Sequence, residues 1–99
     1  MALPPQTMDL ELKKSVTVTV FTMPKCANCP AAKEVVDRVA SRSDKIEVKH
    51  VDLSTDMVTG LLYQIMSTPS IAIGEEAVFR GEVPSEEQLV AEIVKRAGQ

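Results

Sequence analysis

Two cysteines, Cys26 and Cys29, are the only ones in the 99-residue sequence, and two residues separate them. They lie between residues 16–21, which are rich in β-branched side chains, and residues 31–40, which have helical periodicity. A Cys-x-x-Cys pair between a strand and a helix indicates a dithiol redox site. Unpaired N–H groups and the positive end of the helix dipole would favour the thiolate, the form that attacks disulfides.

Two other interpretations of the pair are inert packed thiols and a structural metal site. A free cysteine often packs as a small apolar residue, and structural zinc usually has four ligands. The only histidine, His50, falls on a separate predicted strand, so we predict no metal site and place His50 at the surface or rim. Lys25 either stabilises the neighbouring thiolate or is an ordinary solvated lysine, and the sequence leaves both open.

Composition limits the class of protein. The apolar fraction is 44%, the charged fraction 25% and the net charge -3, which is typical of one globular domain with a single core. Aromatic residues make up only 3%, so stacking platforms are few, and there is no basic excess. These values argue against a nucleic-acid partner. We interpret Met23, Met57 and Met66 as core or rim residues rather than ligands.

Cysteine usage and hydropathy bear on the compartment. Two closely spaced cysteines cannot form a disulfide framework, and a transient catalytic disulfide fits a reducing setting. Residues 1–15 lack a continuous apolar segment, and no stretch is long enough to span a bilayer. We therefore expect a cytoplasmic protein with no membrane partner, while a mature secreted form stays open.

The N-terminal half predicts an arm, a strand and a helix. Residues 1–14 form the expected arm, and residues 15–99 the domain. Residues 16–21 predict a central strand buried on both faces. We expect the first helix to begin near Ala27, with Cys26 at or near its N-cap, Cys29 one turn inside and Pro30 in the first turn. Its apolar face comprises Ala31, Ala32, Val35, Val36, Val39 and Ala40.

The C-terminal half predicts three strands and two helices. Residues 46–53 alternate like a half-buried strand, and Ser54 or Thr55 would cap a short helix reaching about Ile65. Residues 71–73 and 77–80 predict a hairpin, and Ser85 would cap the last helix. Helical spacing relates Met57, Leu61, Leu62 and Ile65 in the short helix, and Leu89, Val90, Ile93, Val94 and Ala97 in the last one. The order β-α-β-α-β-β-α predicts an α/β fold, a four-stranded mixed sheet with helices on both faces.

This order of elements, with Cys26-Ala27-Asn28-Cys29 after the first strand and Thr68-Pro69 before the third, resembles the thioredoxin superfamily. Residues 20–26 and 29–33, Val-Phe-Thr-Met-Pro-Lys-Cys and Cys-Pro-Ala-Ala-Lys, are similar to the small thioredoxin/glutaredoxin-like proteins of archaea. The resemblance extends over about residues 16–97. It implies the thioredoxin fold.

The resemblance also implies an activity and roles for matching residues. The chain would reduce protein disulfides, with Cys26 as the exposed nucleophile and Cys29 as the resolving thiol. Pro69 would follow a cis peptide bond and pack against the pair, and the backbone of Thr68 would face an extended substrate segment. The implied partners are protein disulfides and a reductase, such as a thioredoxin-reductase-like flavoprotein. No bound cofactor is expected besides the redox-active Cys26–Cys29 disulfide, and a monomer is expected.

Several positions depart from the family pattern. The pair encloses Ala-Asn, Lys25 stands where many thioredoxins have tryptophan, and Val20 stands where many have a buried acid. The proton acceptor for Cys29 is therefore open. Residues 80–84 lack the paired glycines with which glutaredoxins hold glutathione, which favours protein disulfides as substrates.

Two hypotheses from other classes remain. Heavy-metal-associated domains also place a methionine and a Cys-x-x-Cys between a strand and a helix. However, Met23 stands one position too far from Cys26 for their usual motif, and these domains have no counterpart of Thr68-Pro69. The other hypothesis is a thioredoxin fold that serves as a passive binding module.

Overall fold

The computed structural model describes residues 12–97. Its elements are β1 (Val16–Thr22), α1 (Cys29–Ala40), β2 (Ile46–Asp52), α2 (Met57–Leu62), β3 (Ser70–Ile73), β4 (Glu76–Arg80) and α3 (Glu86–Ala97). The predicted order β-α-β-α-β-β-α is confirmed. The predicted arm, residues 1–14, lies mostly outside the described residues, and the boundary at residue 15 stays a prediction. Leu12 is already buried, and its carbonyl oxygen accepts a hydrogen bond from Lys45 Nζ at 2.8 Å.

The four strands form one mixed sheet in the order β2-β1-β3-β4. β1 runs parallel to β2 and antiparallel to β3, and β3 pairs with β4 as an antiparallel hairpin. β1 is a central strand with both faces covered, as its β-branched sequence predicts: Val18 and Val20 face one side, and Thr19 and Phe21 face the other. Because β1 and β2 are parallel, the segments that follow them emerge at the same edge of the sheet.

α1 and α3 pack on one face of the sheet and enclose the main core. The buried core residues are Leu12, Val18, Val20, Ala32, Val35, Val36, Val39, Ile46, Ile71, Ile73, Phe79, Leu89, Ile93 and Ala97. Most of the predicted apolar positions of α1 and α3 belong to this cluster, whereas Ala31 and Val94 are exposed. An ion pair between Arg38 and Glu86, 2.7 Å apart, joins the two helices at the surface and raises the pKa of Arg38.

α2 covers part of the opposite face, where the Tyr63 ring packs against Phe21 with centroids 5.2 Å apart. The prediction that Ser54 or Thr55 caps this helix is wrong. Asp56 is the N-cap, and its carboxylate accepts hydrogen bonds from the backbone N–H and the hydroxyl of Thr59. The helix also ends at Leu62 rather than near Ile65, since Gln64 adopts a left-handed conformation with φ 56°.

The last helix begins as predicted. The Ser85 hydroxyl accepts a hydrogen bond from the N–H of Gln88, and the Gln88 side chain accepts one from the N–H of Ser85. This reciprocal pair is a capping box. In the described part of the chain the longest helices have twelve residues, too few to cross a bilayer.

Candidate active site

The two cysteines lie where β1 gives way to α1, and a disulfide joins them with their Cα atoms 5.4 Å apart. Cys26 is half-buried in the turn after β1, and its N–H donates a hydrogen bond to the carbonyl oxygen of Met23. Cys29 is 4% exposed and is the first residue of α1. An attacking or incoming sulfur can therefore reach Cys26 far more easily than Cys29.

The helix begins later than predicted. We expected α1 to start near Ala27 with Cys29 one turn inside, but Asn28 is the N-cap and Cys29 opens the helix. The hydrogen bond from Cys26 to Met23 closes a separate turn before the helix, and the chain enters α1 only after it. The consequence is that Cys29, not Cys26, occupies the helix terminus, and the disulfide holds the Cys26 sulfur beside it.

The electrostatics at this terminus favour a sulfur anion. The side chain of Asn28 makes no capping hydrogen bond, and the first turn contains no acidic residue. Pro30, in the first turn as predicted, lacks an N–H, which leaves the N–H groups of Cys29 and Ala31 as the first unpaired donors. These donors and the helix dipole stabilise negative charge at the cysteine pair.

A shallow groove of about 470 Å³ runs beside Cys26. It is lined by Met23, Pro24, Lys25, Cys26, Ser54 and Thr68, and its surface is mainly apolar. Lys25 is the only charged residue in this lining. The structure thus brings the predicted Lys25, Cys26 and Thr68 to one groove.

Thr68 lines the same groove as Cys26, and Pro69 follows it in the chain. The Thr68–Pro69 peptide bond is cis, and Pro69 is buried, with its carbonyl oxygen accepting a hydrogen bond from Gly81 at 2.8 Å. Among residues 12–97, no backbone hydrogen bond uses either the N–H or the carbonyl group of Thr68. The edge of the groove therefore presents backbone groups that another chain can pair with.

Ser54 is a groove residue that the sequence reasoning placed elsewhere, as a helix cap. Its N–H and hydroxyl both donate to Asp52 Oδ1, at 2.9 and 2.6 Å, so the side chain is held at the end of β2. These hydrogen bonds lower the pKa of Asp52. The parallel pairing of β1 and β2 is the signal that could have found Ser54, because it brings the ends of both strands to one edge.

His50 lies apart from the groove. It is paired with Val20 in the sheet and exposed, with Nε2 3.9 Å from Asp37 Oδ1 on α1. The described residues contain no cluster of three or more His, Cys, Asp or Glu side chains that could hold a metal ion. They also contain no buried carboxylate.

A larger groove of about 570 Å³ lies on the face of the sheet that carries α2. Its lining includes Thr17, Thr19, Lys49 and Tyr63, and neither cysteine is part of it. We place the active site at the smaller groove because Cys26, one of the two residues of the disulfide, lines it.

A mixed sheet with a Cys-x-x-Cys at the first helix and a buried cis-proline just before β3 defines the class of thioredoxin-fold disulfide proteins. Residues 16–95 match the family model described as a thioredoxin domain. The chain is 39% identical over 82 residues to a thioredoxin of Methanocaldococcus jannaschii, a match that includes 82% of this chain and 95% of the relative. It is 41% identical over 75 residues to a probable thioredoxin of Methanothermobacter thermautotrophicus, with 75% and 87% of the two chains included.

A solved structure agrees. A protein disulfide oxidoreductase from Aeropyrum pernix superposes with a TM-score of 0.72 and 27% identity, over 88% of this chain and 39% of that larger chain. The protein therefore belongs to the thioredoxin family, with small archaeal thioredoxins among its relatives. It is a thiol–disulfide oxidoreductase with a disulfide between Cys26 and Cys29, and the metal-carrier and passive-binding hypotheses are not favoured.

Proposed function

We propose that the protein reduces disulfides in other proteins, with Cys26 as the nucleophile and Cys29 as the resolving thiol. The Cys26 thiolate attacks one sulfur of the target disulfide, and the other target sulfur leaves as a thiolate and takes up a proton. Cys29, once deprotonated, attacks the Cys26 sulfur of the mixed disulfide and releases the second target thiol. The target gains two electrons, and Cys26–Cys29 is oxidised.

The difference in burial between the two cysteines carries this assignment. Cys29 is 4% exposed beneath the turn, whereas Cys26 opens onto the groove. A target protein is too large to bring its disulfide to a buried thiol. Attack by Cys29 on the mixed disulfide is intramolecular and needs no access from solvent. The proton acceptor for Cys29 would then be water or the departing target thiolate, since no buried acid is described.

Thr68 and Pro69 are the proposed substrate-binding residues. Neither backbone group of Thr68 has a backbone partner, and both lie next to the groove that contains Cys26. An extended target segment could form strand-like hydrogen bonds with them and hold its disulfide over Cys26. Lys25 is proposed to stabilise the thiolate, as the one cation in the lining.

Protein disulfides are favoured over glutathione mixed disulfides as substrates. The groove is mainly apolar and offers a single charged residue, which suits a peptide segment better than a small charged tripeptide. The loop after β4 contains only one glycine, Gly81, and its left-handed φ of 71° serves a close approach to Ser67.

To complete the cycle, the oxidised Cys26–Cys29 pair must receive two electrons from another molecule. We propose that a reductase, such as a flavoprotein of the thioredoxin-reductase type, reduces Cys26–Cys29, and that the protein acts as a cytoplasmic monomer. The two closely spaced cysteines support this setting, because their disulfide would be transient in a reducing compartment.

Turnover of insulin with dithiothreitol as reductant tests the function. We expect Cys26→Ser to lose all turnover above the uncatalysed rate, and Cys29→Ser to accumulate a mixed disulfide between Cys26 and an insulin cysteine, visible by mass spectrometry. In the reduced wild type, iodoacetamide should label Cys26 well before Cys29. Full activity of Cys26→Ser, or faster labelling of Cys29, would contradict the assigned roles.

The same variants separate this function from metal transport. A carrier would lose copper(I) or zinc binding equally in Cys26→Ser and Cys29→Ser, and the wild type would not accelerate insulin reduction. That pattern would favour the metal-carrier hypothesis.

A further inference from the structure

One helix exposes apolar side chains that have no role in the chemistry described above. Five large residues of α2 and the loop after it project into solvent, and only Gly60 of the helix is buried. We call these five the α2 apolar face: Met57 (66% exposed), Val58 (67%), Leu61 (74%), Leu62 (76%) and Met66 (95%). Clustered exposed apolar residues on a soluble protein commonly mark an interaction site.

The α2 apolar face also lacks charge. One residue in four of the whole chain is charged, but no charged residue occurs between Asp56 and Glu75. A face that served only solubility would carry charged side chains. A partner of this face is therefore recognised by apolar contact and not by charge steering.

Consecutive residues of the chain link the α2 apolar face to the groove at Cys26. A small apolar groove of about 210 Å³ is lined by Leu53, Met57, Gly60, Leu61 and Ile65. Ser54, the next residue after Leu53, lines the cysteine groove. The linings of the two grooves thus include consecutive residues of the loop after β2, and we infer that one bound chain can contact both.

The size of the α2 apolar face indicates what it binds. A large aliphatic side chain presents roughly 60–120 Å² of apolar surface, which makes the five exposed residues worth about 400 Å². A stable complex buries about 800 Å² on each partner. Transient redox encounters bury less than about 1,200 Å² in total, or less than about 600 Å² on each partner. The face is too small to hold a permanent dimer and large enough for a short-lived encounter.

We propose that the α2 apolar face is a docking surface for target proteins whose disulfide is flanked by large apolar side chains. This inference rests on the proposed function, because it names the class of target that Cys26 attacks. The apolar flank of the target contacts α2 while its disulfide lies in the cysteine groove. Docking lengthens the encounter and adds no covalent step.

Two peptide disulfides test the proposal. The two peptides have the same sequence around a central disulfide, except in the flank on one side of it. In that flank the first peptide has leucines, and the second has serines at the same positions. The flank has eight residues, which span about 26 Å when extended. We expect kcat/KM to be about tenfold higher for the leucine peptide, mainly through KM. The preference should persist at about 1 M salt, where the Debye length is only about 3 Å.

The variants locate the preference. Leu61→Ser/Leu62→Ser should bring the ratio of the two kcat/KM values close to one, and Met66→Ser, at a side chain 95% exposed in a loop, should lower it without affecting folding. Val94→Ser is the matched control, because Val94 is an exposed apolar residue on α3 and should leave the ratio unchanged. A ratio that is unchanged in both Leu61→Ser/Leu62→Ser and Met66→Ser would overturn the proposal.

Further outcomes distinguish the alternatives. If the wild type reduces both peptides equally, the docking surface is refuted and the proposed function stands. If it reduces neither peptide nor the small disulfide DTNB, the proposed function itself fails. A dimer that dissociates in Leu61→Ser/Leu62→Ser, seen by sedimentation, would assign the face to a second copy. A faster reaction with the leucine peptide after deletion of residues 1–11 would assign it to the chain's own N-terminal segment.

Discussion

The helices α1 and α2 both carry apolar residues at helical spacing, yet they use them in opposite ways. α1 buries Ala32, Val35, Val36 and Val39 against the sheet and α3. α2 buries only Gly60 and turns most of its apolar side chains toward solvent. α1 is packed firmly into the core, whereas α2 has few buried contacts and leaves its apolar side chains exposed.

The difference follows from the side chains that the sheet presents to each helix. Val18 and Val20 project from β1 toward α1, so burial of apolar side chains from both elements stabilises that face. Toward α2 the sheet presents Thr17, Thr19 and Lys49, and a groove remains open beside them. The contacts there include the ring pair of Phe21 with Tyr63, the C-cap of α2, and the close approach of Gly60 to Leu53.

This difference between the two helices suits a thiol–disulfide oxidoreductase. Cys29, the proposed resolving thiol, is buried and belongs to the firmly packed α1. A surface that recognises different targets benefits from weaker internal contacts and adaptable side chains such as methionine. The comparison can be tested with substitutions that are chemically identical in the two helices.

The largest expected effect comes from replacing valine by alanine in each helix. Val36 is 1% exposed in α1, and Val58 is 67% exposed in α2. Val36→Ala should lower the free energy of unfolding by about 2 kcal/mol, from two lost methyl groups and the cavity they leave. Val58→Ala should change it by less than about 0.5 kcal/mol.

Urea denaturation of both variants measures the contrast between the two valines. Equal losses of stability would mean that α2 is packed as firmly as α1, and the comparison would fail.

A smaller effect is expected at Gly60, where α2 approaches the loop after β2. A Cβ atom at this position would lie 2.6 Å from Leu53 Cδ2. We expect Gly60→Ala to lower the free energy of unfolding by about 1 kcal/mol, since the clash outweighs the better helix propensity of alanine.

The control for Gly60→Ala is the same substitution in a Leu53→Ala background. With the clash removed, it should stabilise the protein by about 1 kcal/mol, and this reversal of sign would identify Leu53 as the obstacle. A single variant that is already more stable than the wild type would show that Leu53 moves aside freely.

Much of the fold could be predicted from local patterns. Residues 16–21 are β-branched and become the central strand, and the apolar periodicity of α1 and α3 gives their buried faces. Such patterns succeed where a dominant apolar face must find the core. The Cys-x-x-Cys likewise identified the active site, because few other arrangements place two thiols at a helix terminus.

The predictions that failed depended on individual polar contacts or on the opposite surface. Asp56 replaced Ser54 and Thr55 as the cap because its carboxylate reaches Thr59, while Ser54 is held by Asp52. Met57 and Met66 are not core residues: Met57 is exposed because the packed position of α2 is a glycine, and Met66 is exposed in the loop after the helix. Hydrophobic spacing reveals a helix, but it does not show whether the sheet offers that helix an apolar surface.

The smallest expected effect concerns the helix caps and depends on pH. The N–H and hydroxyl of Thr59 donate to Asp56 and lower the pKa of its carboxyl, whereas Asn28 caps α1 without a side-chain hydrogen bond. A lowered pKa in the folded state stabilises the protein above the unfolded value of about 3.9, and the stabilisation is lost as the pH falls through the folded value. Asp56→Ala should therefore be less stable than wild type at about pH 6, with a deficit that shrinks toward about pH 2.

Asn28→Ala should show no such pH-dependent change, because Asn28 does not ionise. Urea denaturation across this range measures both, and exchange of the Thr59 amide, faster in Asp56→Ala at the higher pH, would locate the change in α2. A deficit in Asp56→Ala that is constant with pH would mean that the charge of Asp56 contributes nothing, and that the two helices do not differ in their caps.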